Sequence, residues 1–129
     1  MAPPLTRILM VDDDLDIQAV ARLALEAVGG FTVITCSSGS AAIETVATFV
    51  PDLILLDVTM PDMDGPSTLK ALRAIPQTAA TPVIFVTARV QAHDIAWYQT
   101  LGVLDVIAKP FDPMTLSATI RSIWAGKYH

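Results

Sequence analysis

Apolar residues recur along this chain in two rhythms. Short, β-rich apolar runs lie near residues 8–11, 32–35, 53–56, 83–86 and 103–108. Between them the apolar positions take helical spacing: Ile17, Val20, Ala21, Ala24 and Val28, then Ile43, Val46, Ala47 and Val50, and near the end Leu116, Ile120, Ile123 and Trp124. Residues at such intervals share one face of a 3.6-residue helix. Segments 66–75 and 91–101 carry the same pattern more weakly. Turn-forming residues separate the pieces at Gly29-Gly30, Pro51-Asp52, Asp64-Gly65-Pro66, Thr81-Pro82 and Gly102. Asp14 and Ser38 or Ser40 are suited to cap the helices that follow them. Five strand-then-helix units result. This alternation predicts an α/β domain, a parallel sheet with helices on both faces and right-handed crossovers.

At 129 residues the chain suits one domain and leaves little room for a second. It is apolar, with 53% hydrophobic residues and a mean hydropathy of +0.54. The longest apolar runs nevertheless fall far short of the ~18 residues that span a bilayer, so the excess belongs to buried strands or to a surface that meets a partner. Eight basic and thirteen acidic residues give a net charge of −5, with no Lys/Arg cluster. Direct nucleic-acid binding needs such a cluster and is not expected. Cys36 is the only cysteine; it cannot form an intrachain disulfide, reads as structural, and fits a reducing cytoplasm. Arg7 is followed by only four apolar residues before three aspartates, which is not the pattern of a signal peptide.

Chemistry enters where the apolar runs stop. The first ends at Asp12, Asp13 and Asp14, the third at Asp57, the fourth at Thr87 and the fifth at Lys109. In a parallel sheet these ends share one edge, and open α/β sheets bind ligands there. Ionised Asp12, Asp13 and Asp57 in one pocket would repel, raising a pKa unless a cation intervenes. Magnesium, a hard cation held by a few carboxylates together with waters and a phosphate, is the natural candidate. Lys109 offers a compact positive charge and Thr87 a hydroxyl donor. Together they supply the charge neutralisation and positioning that phosphoryl transfer requires, with Asp57 as the nucleophile that forms an acyl phosphate.

Each residue alone has a plainer reading. A strand-end Asp is usually a turn or cap residue, and the 12–14 run would complement a helix dipole. Thr87 alone is an ordinary turn residue and Lys109 a solvated lysine. The combination at four strand ends is far more specific. Asp62-Met63-Asp64-Gly65 hints at a calcium loop, but the remaining ligand spacing is missing. His93 and His129 are isolated and expected to face solvent. Adjacent Trp97 and Tyr98 cannot share one narrow helix face; one is expected to be exposed and available to a partner, unless both only pack against the edge of the core.

The segments Ile8-Leu9-Met10-Val11-Asp12-Asp13-Asp14, Pro51-Asp52-Leu53-Ile54-Leu55-Leu56-Asp57, Met60-Pro61-Asp62-Met63-Asp64-Gly65, Thr87-Ala88 and Lys109-Pro110-Phe111 resemble the receiver (CheY-like) family of two-component response regulators over nearly the whole chain. The resemblance implies a flavodoxin-like, doubly wound (βα)5 fold with strand order 2-1-3-4-5. It also implies that Asp57 is the phosphoacceptor, that Asp13 and Asp57 bind Mg2+ directly with Asp12 assisting through water, and that the Thr59 carbonyl completes the protein ligands. Thr87 would move toward the phosphoryl group and Lys109 would pair with it. The Lys109–Pro110 bond is commonly cis in similar proteins, which would aim the lysine inward. The donor would be a sensor histidine kinase or a histidine phosphotransfer protein. The domain would catalyse only its own phosphorylation and dephosphorylation, and an apolar 91–125 face would be available for a phosphorylation-dependent homodimer.

One position departs from the pattern. Similar receivers carry Tyr or Phe three residues before the lysine, a ring that swings inward as the threonine moves; here the residue is Val106. Either output runs through the loop after Thr87 or the 91–101 helix, or Val106 fills the same pocket and the switch works through Thr87 alone. Thr59 and Arg89 flank the site, where similar proteins tune hydrolysis; Arg89 would reach the phosphoryl group or obstruct water. Two rival functions share parts of this pattern. An aspartate-nucleophile phosphatase wants a second Asp two residues after the first, where this chain has Thr59, and a cap domain for which there is no room. A binding-only pseudo-receiver is disfavoured by the complete residue set. Met1 and the short lead-in suggest a natural N-terminus, while a complete stand-alone regulator and a fragment of a larger regulator or hybrid kinase both remain open.

Overall fold

A computed structural model describes residues 2–128; Met1 and His129, with the expectation made for that histidine, lie outside the described residues. The strands are β1 (Arg7–Val11), β2 (Thr32–Cys36), β3 (Leu53–Leu56), β4 (Val83–Thr87) and β5 (Asp105–Ala108). They pair in parallel in the order β2-β1-β3-β4-β5, as the resemblance implied. The helices are α1 (Leu15–Leu23), α2 (Gly39–Thr45), α3 (Gly65–Arg73), α4 (Ala92–Thr100) and α5 (Leu116–Lys127), each following its strand. No helix among the described residues is long and apolar enough to cross a membrane.

The central strands are apolar throughout because both faces of the sheet are covered. Side chains alternate between the faces. Ile8, Met10, Leu53, Leu55, Ile84 and Val86 pack under α1 and α5, against Ala21, Leu116, Ile120 and Trp124. Leu9, Val11, Ile54, Leu56, Val83 and Phe85 pack under α2, α3 and α4, against Ala42, Leu69, Leu72 and Tyr98.

Asp14 and Ser38 do cap α1 and α2, the first accepting from the amides of Asp16 and Ile17, the second from that of Ala41. Two helical patterns need correction. The first apolar series does not run as one α-helix: Ala24–Val28 is a π-helical turn. Its wider i→i+5 bonding shifts the later residues around the axis. Val28 consequently faces outward; Val20, in the regular part of the helix, is exposed as well, while Gln18, Ala21, Ala24 and Leu25 are buried. In the second series α2 ends at Thr45; Val46 is buried and Ile43 packs against the core as the spacing predicts, Ala42 and Phe49 join them, and Val50 is exposed. Strand β5 is shorter than its apolar run, beginning at Asp105 after a turn at Gly102 that adopts φ +79°.

Burial makes the core sensitive to truncation. Leu55→Ala, at a fully buried position of the central strand, is expected to lower unfolding free energy by about 2–5 kcal/mol. Leu23→Ala, on an exposed position of α1, should change it by less than ~0.5 kcal/mol; urea denaturation of both variants measures the contrast.

Candidate functional site

Sheet pairing continues one residue past the strand ends and fixes the backbone on which the polar side chains stand. The Asp12 amide donates to the Cys36 carbonyl (3.0 Å), the Asp57 amide to Val11 (2.9 Å) and the Lys109 amide to Thr87 (2.9 Å). Asp12, Asp57, Thr87 and Lys109 are thereby held at one edge of the sheet. Carboxylate oxygens of Asp12, Asp13 and Asp57 all lie within 4.8 Å of one another. Asp12 and Asp57 are buried and Asp13 is exposed. The remaining aspartate of the run, Asp14, is spent on the α1 cap.

Lys109 Nζ enters this cluster, 2.6 Å from Asp12 Oδ2 and 3.3 Å from Asp57 Oδ1. Its tighter partner here is Asp12. The Lys109–Pro110 peptide is cis. Thr87 is buried, and its Oγ1 accepts a hydrogen bond from the Arg89 amide (3.0 Å), which leaves its own proton available to another acceptor. Thr59 is exposed, and its amide reaches Asp57 Oδ1 at 3.4 Å. The Arg89 side chain faces solvent, 4.0 Å from Asp94.

Burial and the neighbouring Asp12 charge push the Asp57 carboxyl above its ordinary value; Lys109 and the Thr59 amide pull the other way without winning. Burial draws Lys109 down, but its hydrogen bond to Asp12 and the charges of Asp57 and Asp12 more than reverse this and hold it above the usual lysine value. Lys109 is thus firmly cationic, yet one ammonium faces three carboxylates. The cluster is all oxygen, partly buried and short of positive charge. That donor set fits a hard divalent cation such as Mg2+, which when bound would neutralise developing charge on a phosphoryl group.

Two neighbours of the site escaped the sequence reading. A Cβ at Gly65 would stand 2.5 Å from the Asp57 carbonyl oxygen and 2.8 Å from Val58 Cα, so only glycine admits the start of α3 this close to the β3 end. The Asp64-Gly65-Pro66 triplet marked a turn but not this approach. Gln18 is a polar residue on the buried side of α1; its amide donates to the Asp12 carbonyl and the Ser37 hydroxyl, tying the loop that carries Asp12 and Asp13. Its place beside Ile17 and Ala21 was the available signal. The Asp62–Gly65 segment makes no calcium loop here, since Asp64 is the α3 cap, accepting from the Ser67 amide at 2.8 Å. His93 is exposed as expected. Cys36 is buried, its thiol pushed up by burial against a hydrogen bond to Thr45, which suits a structural residue.

A parallel sheet of this order, with an acidic cluster and a lysine at its carboxyl edge, has the flavodoxin-like arrangement of α/β domains that bind ligands at that edge. The family model described as the response regulator receiver domain matches residues 8–121, and the chain belongs to that family. It is 42% identical over 119 residues to the transcriptional regulatory protein CpxR of Escherichia coli, covering 92% of this chain and 49% of that protein. It is 37% identical over 117 residues to the alkaline phosphatase synthesis transcriptional regulatory protein PhoP of Bacillus subtilis, covering 91% and 48%. The chain thus spans about half the length of these curated relatives. Among solved structures, the chemotaxis protein CheY4 of Vibrio cholerae superposes with a TM-score of 0.85 at 28% identity, over 93% of this chain and 99% of that one. The chain is a receiver domain of two-component signalling, and a phosphoacceptor role fits it.

The electrostatics make a stability prediction. A carboxyl whose pKa is raised by folding holds its proton to higher pH than in the unfolded chain. Stability therefore falls as pH rises from the ordinary aspartate range through the raised value, and the loss is complete above it. Asp57→Asn should accordingly stabilise the metal-free protein at neutral pH, with the gain disappearing in acid. Thermal melts of both forms across pH check the sign.

Proposed function

We propose that residues 1–129 form one receiver domain that accepts a phosphoryl group on Asp57 from a sensor histidine kinase or a histidine phosphotransfer protein and converts it into altered protein contacts. The observation that carries this reading is Asp57 itself: a buried carboxylate at the end of the central strand, beside Asp12, Asp13 and a cationic Lys109. An Asp57 oxygen attacks phosphorus in line, a P–O bond forms as the P–N bond of the phosphohistidine breaks, and the imidazole leaves with the electron pair. Lys109 moves from neutralising carboxylates to holding a phosphoryl oxygen. Thr87 donates its free hydroxyl proton to another. Asp12, Asp13, Asp57 and the Thr59 carbonyl would hold the Mg2+ that compensates the charge. Chemistry is confined to the domain's own phosphorylation and dephosphorylation, since Thr59 offers no second carboxylic acid to turn over external esters. A histidine-borne donor and a lone buried thiol suit work in the cytoplasm.

The donor's approach has a matching surface. Beside Lys109 an apolar groove of about 330 Å³ is lined by Asp16, Ile17, Val20, Ala88, Pro110 and Phe111. Val20 is exposed there, and Leu15 and Leu23 are exposed on the same helix. Helix α1 would meet the helix that carries the donor histidine, bringing its phosphoryl group over Asp57.

Two measurements test this reading. Intact mass after incubation with acetyl phosphate and Mg2+ should show a single phosphoryl adduct that is absent without Mg2+ and absent in Asp57→Asn; no adduct under any condition would favour a binding-only domain. Val20→Asp should slow transfer from a phosphorylated histidine donor by about tenfold or more while leaving uptake from acetyl phosphate unchanged, which separates docking from chemistry.

A further inference from the structure

Helix α4 is held to the sheet in an unusual way. Its residues face solvent for the most part, and only Asp94 and Tyr98 are buried. Tyr98 is fully enclosed, the largest side chain to be so, with its ring edge-on to Phe85 of β4 at 5.2 Å between centroids. Phe85 is the register partner of Val106 on β5, and Val106 packs into the same cluster from the sheet side. Where β5 offers a small side chain, α4 supplies a large one, and the space between helix and sheet is filled from the helix.

The ring carries a polar tip with a defined partner. Tyr98 Oη donates to the Arg89 carbonyl at 2.9 Å. The amide of the same residue donates to Thr87 Oγ1 at 3.0 Å. Burial pushes the Tyr98 phenol up, with the Thr87 side chain close enough to oppose the rise, so the hydroxyl stays a donor. One residue of the β4–α4 loop therefore joins the Thr87 hydroxyl on one side to the only buried aromatic of α4 on the other. Trp97, the next residue along the helix, is 47% exposed, with its ring 5.7 Å from that of Tyr98.

We propose that Tyr98, filling from α4 the space beside Val106, is a positioning residue that couples the Thr87 hydroxyl to helix α4 through the backbone of Arg89, with Trp97 on the outer face of the same helix. The inference rests on the phosphoacceptor reading of Asp57. If Thr87 is drawn toward a phosphoryl oxygen, the Arg89 amide must follow it or lose its acceptor. The carbonyl of the same residue then moves relative to Tyr98 Oη, and a helix with so little else buried moves with it. Packed side chains and hydrogen bonds that have two discrete arrangements are what carry such coupling.

The test uses the whole chain labelled with 15N, in which only Trp97 and Trp124 carry indole N–H groups. Trp124 donates to the Pro3 carbonyl from α5 and serves as the internal control. Mg2+ with beryllium fluoride, a tetrahedral mimic of a carboxylate-bound phosphoryl group, should shift the Trp97 indole signal and leave that of Trp124 in place. In Tyr98→Phe, which removes only the hydroxyl, the acetyl phosphate adduct should form as in the original protein and the Trp124 signal should persist, showing an intact fold, while the Trp97 shift is lost. A Trp97 shift of undiminished size in Tyr98→Phe overturns the coupling, as does a stationary Trp97 in the unaltered protein once its adduct is present. Absence of any adduct on the unaltered chain would instead bring down the phosphoacceptor reading, and the coupling with it.

Discussion

Lys109 Nζ lies 2.6 Å from Asp12 and 3.3 Å from Asp57, and the architecture of the site depends on that contact. Carboxylates brought together at the end of an apolar sheet repel in a medium that screens them poorly. Burial adds to the repulsion by removing water from Asp12 and Asp57. A single ammonium offsets part of this and leaves the cluster acidic, with the Asp57 carboxyl still above its ordinary value. The residual negative charge suits a divalent cation, and the lysine suits the phosphoryl oxygen that a cation would help to accommodate. A cluster balanced by two lysines would be more stable and would have no use for either.

The fold brings these groups together by making the sheet rigid and its loops short. Strands buried on both faces give Asp12, Asp57, Thr87 and Lys109 backbones that are still hydrogen-bonded to neighbouring strands where the side chains begin. Gln18 ties the β1–α1 loop from below. Gly65 lets α3 start almost in contact with the Asp57 carbonyl. The loop after Thr87 is tied in a different way, through Arg89 to α4.

That division matches the distribution of apolar surface. Exposed Val20 of α1 lines the groove beside Lys109, whereas α4 presents Trp97 on a helix with only two buried residues. A phosphoryl donor needs the rigid side, close to Asp57.

Most of the architecture was legible in the sequence. Unbroken apolar runs between helical repeats dictated a parallel sheet buried on both faces, since only that environment leaves such runs no polar side. The residues ending those runs marked the site, because parallel strands present their carboxyl ends along one edge. The strand order came from resemblance; spacing alone is silent on which strands are neighbours. Sequence periodicity failed where the helix changed pitch: the π turn at Ala24–Val28 and the early end of α2 put Val28 and Val50 outside, although their spacing fits an ideal helix. The pairing of Lys109 with Asp12, the approach of Gly65 to Asp57 and the choice of Tyr98 over Trp97 for the interior were decided only in the tertiary structure. Each depends on distances between segments far apart in the chain or on the rotation of one helix against the sheet, and local pattern carries no information about either.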